Sequence, residues 1–207
     1  MDEKQWEQFL APYRQAVEEL KGIRTLYEYE EEHSPIEFVT GRVKPVPSIL
    51  EKAKRKNIPL HNIESMQDIA GLRIMCQFFE DIRIVVDMLL ARKDFTVVDK
   101  RDYIAEHKES GYRSYHLVVL YPLQTINGEK QILVEIQIRT LAMNFWATIE
   151  HSLNYKYSGN IPEKVKLRLQ RASEAASRLD MEMSEIRGEI QEAHVAFSRK
   201  KKDEDDG

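Results

Sequence analysis

The sequence predicts an α+β fold, a mostly antiparallel sheet flanked by helices, with a long helix at each end. Three observations carry this. Four segments, "DIAGLRIMCQFF", "FTVVDKRDYI", "SYHLVVLYPL" and "KQILVEIQIRT", have the composition and alternation of strands. The segments before, between and after them repeat apolar residues every three or four positions, the period of a helix that buries one face. Finally, 207 residues, 42% hydrophobic with 8 Gly and 7 Pro, suit one helix-rich domain and leave too little chain for two catalytic domains.

Taken in order, Trp6, Leu10, Tyr13, Val17 and Leu20 form one stripe and predict an amphipathic helix from residue 3 to about 29. In "HSPIEFVTGRVKPVPSILEKAKRKN" the prolines and Gly41 break helix, and Pro47 suits the start of a new one running through Lys56. "EDIRIVVDMLLARK" reads as a helix after the first strand. The last two strands join in a hairpin around Asn127-Gly128. "LAMNFWATIEHSLNYKY" is helical, with a polar stripe at Asn144, Thr148, His151 and Tyr155 beside an apolar line at Leu141, Phe145, Ile149 and Leu153. A final helix near Pro162 carries Val165, Leu169, Ala172, Ala176, Leu179, Met183, Ile186 and Ile190 in steps of four and three, the pattern of a coiled-coil seam. It either folds back on the first helix or pairs between subunits. The expected divisions are 1–30 for the N-terminal helix, 31–157 for the globular domain, 158–198 for the long C-terminal helix and 199–207 for a disordered charged tail.

The acidic, amphipathic start lacks a secretory signal, and no run approaches the roughly 20 apolar residues of a membrane helix, so a cytoplasmic protein without membrane contact is expected. Cys76, the single cysteine, excludes an internal disulfide and reads as a buried inert thiol. Within a net charge of -4, Arg42, Lys44, Lys52, Lys54, Arg55 and Lys56 gather against a single Glu51. A local cation field in an acidic protein suggests an anionic ligand rather than general nucleic-acid affinity, and a loop-to-helix junction favours anions. RNA binding is not predicted.

"VEIQIRT" places Glu135, Gln137 and Arg139 on one side of a strand and Val134, Ile136 and Ile138 on the other. The polar side faces either bulk water or a site. Asp68 opens "DIAGLRI"; were its strand beside that of Glu135, two carboxylates could share a magnesium ion, which takes few protein oxygens and completes its shell with water and phosphates. Asp68 and Arg73 differ in parity, so Asp68 belongs to the preceding turn or Gly71 marks a bulge. In "SGYRSYH", Tyr112, Ser114 and His116 share parity, a flat ring and an imidazole suited to stacking on and reading a purine; Arg42 and Arg73 could flank another base.

The ordered set "GRVKPVPSILEK", "DIAGLRI", "KESGYRSYH", "VEIQIRT" and "NFWATIEHSLNYK" resembles the synthetase domain of the RelA/SpoT family, over roughly residues 38 to 157, and the short chain looks like the small alarmone synthetases of RelQ type. The resemblance implies a nucleotidyltransferase-like fold with a mixed, mostly antiparallel sheet of about five strands. It also implies transfer of the β,γ-pyrophosphate of ATP to the 3'-hydroxyl of GDP or GTP. It makes Asp68 and Glu135 the magnesium site, with Glu135 also orienting or deprotonating the hydroxyl. Arg42 and Arg73 resemble the adenine clamp, and Lys44, Ser48, Lys52 and Arg55 the ATP phosphate ligands. Tyr112 would stack on guanine, with Lys108, His116, Gln137 and Asn144 holding the acceptor, while Arg101, Arg113, Arg139, His151 and Lys156 would lie behind them. Small tetrameric members further imply a homotetramer and a regulatory (p)ppGpp site between subunits, for which Lys21, Arg24, Phe38 and Thr40 are the candidates. No His-Asp pair is present, so synthesis without hydrolysis is expected. A nucleotidyl-transferring enzyme and a non-catalytic nucleotide- or RNA-binding oligomer are the rival readings.

Overall fold

The computed structural model describes residues 2–23, 34–106, 108–156 and 161–205, with side chains undescribed at 154–156 and beyond 197. Five strands form one sheet, β1 (Phe38–Val43), β2 (Ala70–Cys76), β3 (Thr96–Asp102), β4 (Tyr115–Thr125) and β5 (Gly128–Thr140), in the order β1-β2-β5-β4-β3. Only β2 against β5 is parallel. The mixed, mostly antiparallel five-stranded sheet is therefore present.

The apolar stripe of α1 (Glu3–Lys21) is buried as its spacing requires. It packs on the sheet face that carries Leu72, Ile74, Leu117, Ile136 and Ile138, and α3 (Phe79–Ala91) adds Ile82, Val85 and Val86 to the same core. The helix expected to reach residue 29 ends at Lys21, with Gly22 as its C-cap; residues 24–33 lie outside the described ones.

β1 is the element that residue pattern missed, because two prolines and a glycine around it read as punctuation. In fact Val39 and Val43 face inward while Thr40 and Arg42 face the other way. Gly41 lies where α1 crosses: a Cβ there would come within 2.4 Å of the Val17 side chain. α2 (Val46–Arg55) follows at once, with Pro45 as its N-cap. The suspected bulge at Gly71 is absent, since both ladders run through it in register; the irregularity falls instead between Val97 and Asp99. The hairpin closes with Thr125 opposite Gly128.

α4 (Leu141–Lys156) and α5 (Glu163–Asp205) pack together, with Trp146 Nε1 donating to the Leu169 carbonyl at 2.9 Å. The helix continues to Asp205, into the tail expected to be disordered; Lys, Arg and Glu are good helix formers, and the segment prolongs a helix already nucleated. Arg187 fastens α5 to α3 through Asp81 at 2.8 Å and stacks over Phe78. The Thr140 hydroxyl accepts from Met143 N–H and donates to buried Asp180 at 2.6 Å, joining β5, α4 and α5.

Burial raises the Asp180 carboxyl above its ordinary value of 3.8, against the opposing Thr140 bond. A raised carboxyl makes its folded-state contribution below the unfolded pKa and loses it as pH climbs through the folded value. Asp180→Asn should therefore raise the melting temperature at pH 7, by roughly 2 °C per kcal/mol relieved, with the advantage gone below pH 4. Melting curves across pH 3.5 to 7.5 test it, and equal destabilisation at every pH would overturn it.

Candidate active site

Register alone assembles the polar face. One row across the sheet reads Arg42, Gly71, Glu135, Val118 and Asp99; the next reads Thr40, Arg73, Gln137, His116 and Arg101. Cross-strand partners share a face, so the polar side of "VEIQIRT" is the floor of a cleft, not a solvated surface. Arg42, Asp68, Gly71, Arg73, Glu135 and Gln137 line it together. Gly71 keeps the floor open between Arg42 and Glu135.

Asp68 lies in the turn before β2, which settles its parity. Its Oδ2 takes Lys44 Nζ at 2.5 Å and Lys52 Nζ at 2.6 Å, one lysine from the end of β1 and the other from α2. Burial pushes this carboxyl up, but the two lysines outweigh burial and hold it below its ordinary value. Its Oδ1 is buried with no hydrogen-bond partner. Arg42 and Arg73 make no hydrogen bond or ion pair among the described residues. Burial and the nearby charges of Arg139 and Arg42 lower the Arg73 pKa, the signature of cations crowded around an anion's place. Ser48 and Arg55 are exposed on α2. The lysines read as phosphate ligands are thus both paired with Asp68.

On the other side of Glu135 an ordered network begins. Arg139 Nη2 donates to the Tyr112 hydroxyl at 2.5 Å, which leaves that hydroxyl's proton for His116 Nε2 at 2.7 Å. The proton of a neutral His116 then sits on Nδ1, facing Glu135 Oε1 at 3.3 Å, while Gln137 donates to Glu135 Oε2 at 2.8 Å. Burial raises the Glu135 carboxyl, and His116 and Gln137 more than reverse it, so the group is held below its usual value.

Arg139 is buried and also bonds Ser114, Gln137 and Asn144, making it the hub of this wall rather than a remote support. Tyr112 lies in the loop before β4, not on a strand, yet its ring remains beside His116. Tyr103 was not foreseen: its ring stands edge-on to His116 and Tyr112, with Lys108 Nζ 4.5 Å from its centroid. Nothing but its place after β3 in the sequence marked it.

Arg101 is tied to Gln67 and Asp99 at the cleft edge. Arg113 turns away toward α5. His151 is exposed, and the Lys156 side chain and Arg24 lie outside the described residues. Phe38 and Thr40 share the cleft face of β1, and Thr40 lines the cleft itself; Lys21 pairs with Glu18 on α1 and presses against Gly41 from the opposite side. Among the described members of the regulatory set, the sheet separates Lys21 from Phe38 and Thr40.

No group of three or more His, Cys, Asp or Glu that could hold a metal occurs among the described residues. Two carboxylates do suit magnesium, which binds through one or two acids plus substrate phosphates, and the orphaned Asp68 Oδ1 is an oxygen without another partner.

Residues 41–160 match the model of a region found in RelA / SpoT proteins. The chain is 86% identical over 206 residues, 98% of each chain, to the GTP pyrophosphokinase YjbM of Bacillus subtilis strain 168. It superposes on the crystal structure of the small alarmone synthetase 1 from Bacillus subtilis bound to its product pppGpp with a TM-score of 0.87 and 85% identity, covering 91% of this chain and 100% of that one. The same synthetase bound to AMPCPP gives a TM-score of 0.79 at 80% identity, covering 92% and 100%.

Proposed function

The chain belongs to the RelA/SpoT family, and we propose that it is a GTP pyrophosphokinase that moves the β,γ-pyrophosphate of ATP to the 3'-hydroxyl of GDP or GTP, forming ppGpp or pppGpp and AMP. The observation that carries this reading is the cleft in which Asp68 and Glu135 stand between two arginines, Arg42 and Arg73, and the Tyr112–His116 wall. The pppGpp and AMPCPP complexes of the Bacillus synthetase support a guanosine and an adenosine nucleotide as ligands of this fold.

ATP lies on the β1–β2 side. Arg42 and Arg73 flank adenine, and Lys44, Ser48, Lys52 and Arg55 receive the phosphates, the two lysines exchanging Asp68 for phosphate oxygens. Guanosine nucleotide lies on the β4 side, its base against Tyr112, with Lys108, His116, Gln137 and Asn144 around it. Asp68 and Glu135 would hold a magnesium ion, which supplies charge neutralisation at the phosphates. Glu135 accepts the 3'-hydroxyl proton as the 3'-oxygen bonds to the β-phosphorus and the bond from that phosphorus to the α-phosphate oxygen breaks, releasing AMP. Most of the acceleration is placement of two polyanions that repel each other, worth roughly 7 to 11 kcal/mol. The chain synthesises and does not hydrolyse.

Incubation with ATP, magnesium and GDP or GTP, resolved by ion exchange, tests this. AMP with a 3'-pyrophosphorylated nucleotide is expected, and chelation should stop it. Pyrophosphate release would establish nucleotidyl transfer instead, and binding without turnover a non-catalytic module.

A homotetramer is part of the same proposal. The apolar lines of α4 and α5 do not fill the core: Phe145 is 69% exposed and Leu179 56%, beside an apolar groove of about 790 Å³. Surface of that kind calls for a partner, and the repeat on α5 suits another copy. Light scattering should return four times the chain mass; a monomer would refute it. A regulatory (p)ppGpp site between subunits, with Lys21, Phe38 and Thr40, requires that assembly. A cytoplasmic setting fits the nucleotide substrates, and among the described residues no helix is long and apolar enough to cross a membrane.

A further inference from the structure

We infer that the C-terminal helix α5 is part of the acceptor-nucleotide machinery, with Ser173 the positioning residue that holds the loop bearing Lys108 and Tyr112 in its binding shape. The inference rests on the acceptor reading of that loop given above.

The loop between β3 and β4 is closed at its base by local turns: Tyr103 N–H bonds the Ser114 carbonyl at 3.0 Å, and Asp102 Oδ1 accepts from the N–H groups of Ile104 and Ala105 at 2.9 Å. Gly111 takes φ +90°, a left-handed conformation few other residues adopt, and its N–H bonds the Lys108 carbonyl at 2.7 Å. The far end of the loop, residues 109–113, is tied to the body of the protein by α5. Buried Ser173 donates its hydroxyl to the Gly111 carbonyl and accepts Arg113 Nη1 at 2.7 Å. One turn away, Gln170 donates to the Glu109 carbonyl. The fit is close enough that a Cβ on Gly111 would come within 2.7 Å of the Ser173 Cβ. Residues 109, 111 and 113 are thus all fastened to one face of α5, and Tyr112, placed between two of them, is aimed at Arg139 and His116.

A loop held this way adopts its binding shape before the nucleotide arrives, so less ordering is charged against acceptor affinity. Ser173 touches neither the cleft nor the donor side, which makes its signature selective. It also explains Arg113: the guanidinium serves the loop's anchorage, not a phosphate. The same helix presents its apolar stripe on the outside, so whatever docks there bears on the loop through a rigid element.

The test is Ser173→Ala in the full chain. KM for GTP is expected to rise about tenfold, the equivalent of two modest hydrogen bonds, while KM for ATP stays within twofold and the melting temperature falls by only a few degrees. Ser173→Ala added to Arg113→Ala should have almost no further effect on KM for GTP, because the two residues act as one link. Amide hydrogen exchange reads the link without turnover: protection at residues 111–114 should fall at least fivefold in Ser173→Ala, with β2 unchanged. Unaltered exchange in that loop, an equal rise in both KM values, or full additivity of the pair would each overturn the inference. Should the wild-type chain show no pyrophosphate transfer, the function falls and the exchange result still decides the anchorage.

Discussion

Glu135→Gln is expected to lower kcat by about three orders of magnitude, within the 10²–10⁴ span of a general base, while affinity for either nucleotide changes only a few-fold. Glutamine fills the same space on β5 and keeps one acceptor oxygen, for the Gln137 amide, at the loss of the longer contact to His116, so the floor of the cleft keeps its shape. What disappears is a site for the proton. Single-turnover assays beside equilibrium binding separate the two, and near-normal turnover would rule out the role. The pH dependence gives an independent reading. The carboxyl is held below its ordinary 4.5 chiefly because His116 and Gln137 offset burial, so the acid limb of the wild-type rate lies below that value. Removing the imidazole in His116→Ala leaves burial less opposed, and the acid limb should move to higher pH.

Asp68→Asn should cost about 10²–10³ in kcat/KM, the scale of losing one strong electrostatic contact to a developing charge. The sign of its effect on binding is the informative part. Lys44 and Lys52 converge on one oxygen of this acid, and with the charge gone both ammonium groups are released toward the phosphates. ATP binding in the absence of magnesium should therefore hold or tighten, while magnesium no longer strengthens it. Titration of an ATP analogue with and without magnesium measures this. Weaker metal-free binding would show that Asp68 serves the fold of the cleft and not the metal.

Much of this was legible beforehand, and the exceptions have physical causes. The parity of "VEIQIRT" put Glu135, Gln137 and Arg139 on one side, and the sheet keeps them there. Alternation cannot say which side meets water; the neighbouring strands decide that, through Arg73 and His116. β1 was hidden because its one glycine answers the approach of α1 rather than a turn. Tyr103 and Ser173 were invisible for another reason: each acts across a tertiary contact, and no local spacing reports that β3 meets the acceptor loop or that α5 passes behind it. The exposed lines on α4 and α5 were visible as stripes, but a stripe looks alike whether it packs within a chain or between chains.

The lone parallel ladder has a consequence for how the enzyme comes into being. β4 and β5 can zip from a turn that sets Thr125 against Gly128, whereas β2 must find β5 across a separation of 64 positions, Ala70 against Val134. Distant pairing is the slow part of folding, since the chain entropy of the enclosed loop is lost before contacts reward it. The wall of Glu135, His116 and Arg139 is built on the fast hairpin, and the wall of Arg42 and Arg73 on the strands that pair with it over the longer separation. Competence therefore arrives at the closing of one seam, and a newly made chain cannot spend ATP until its last strand pairing is in place.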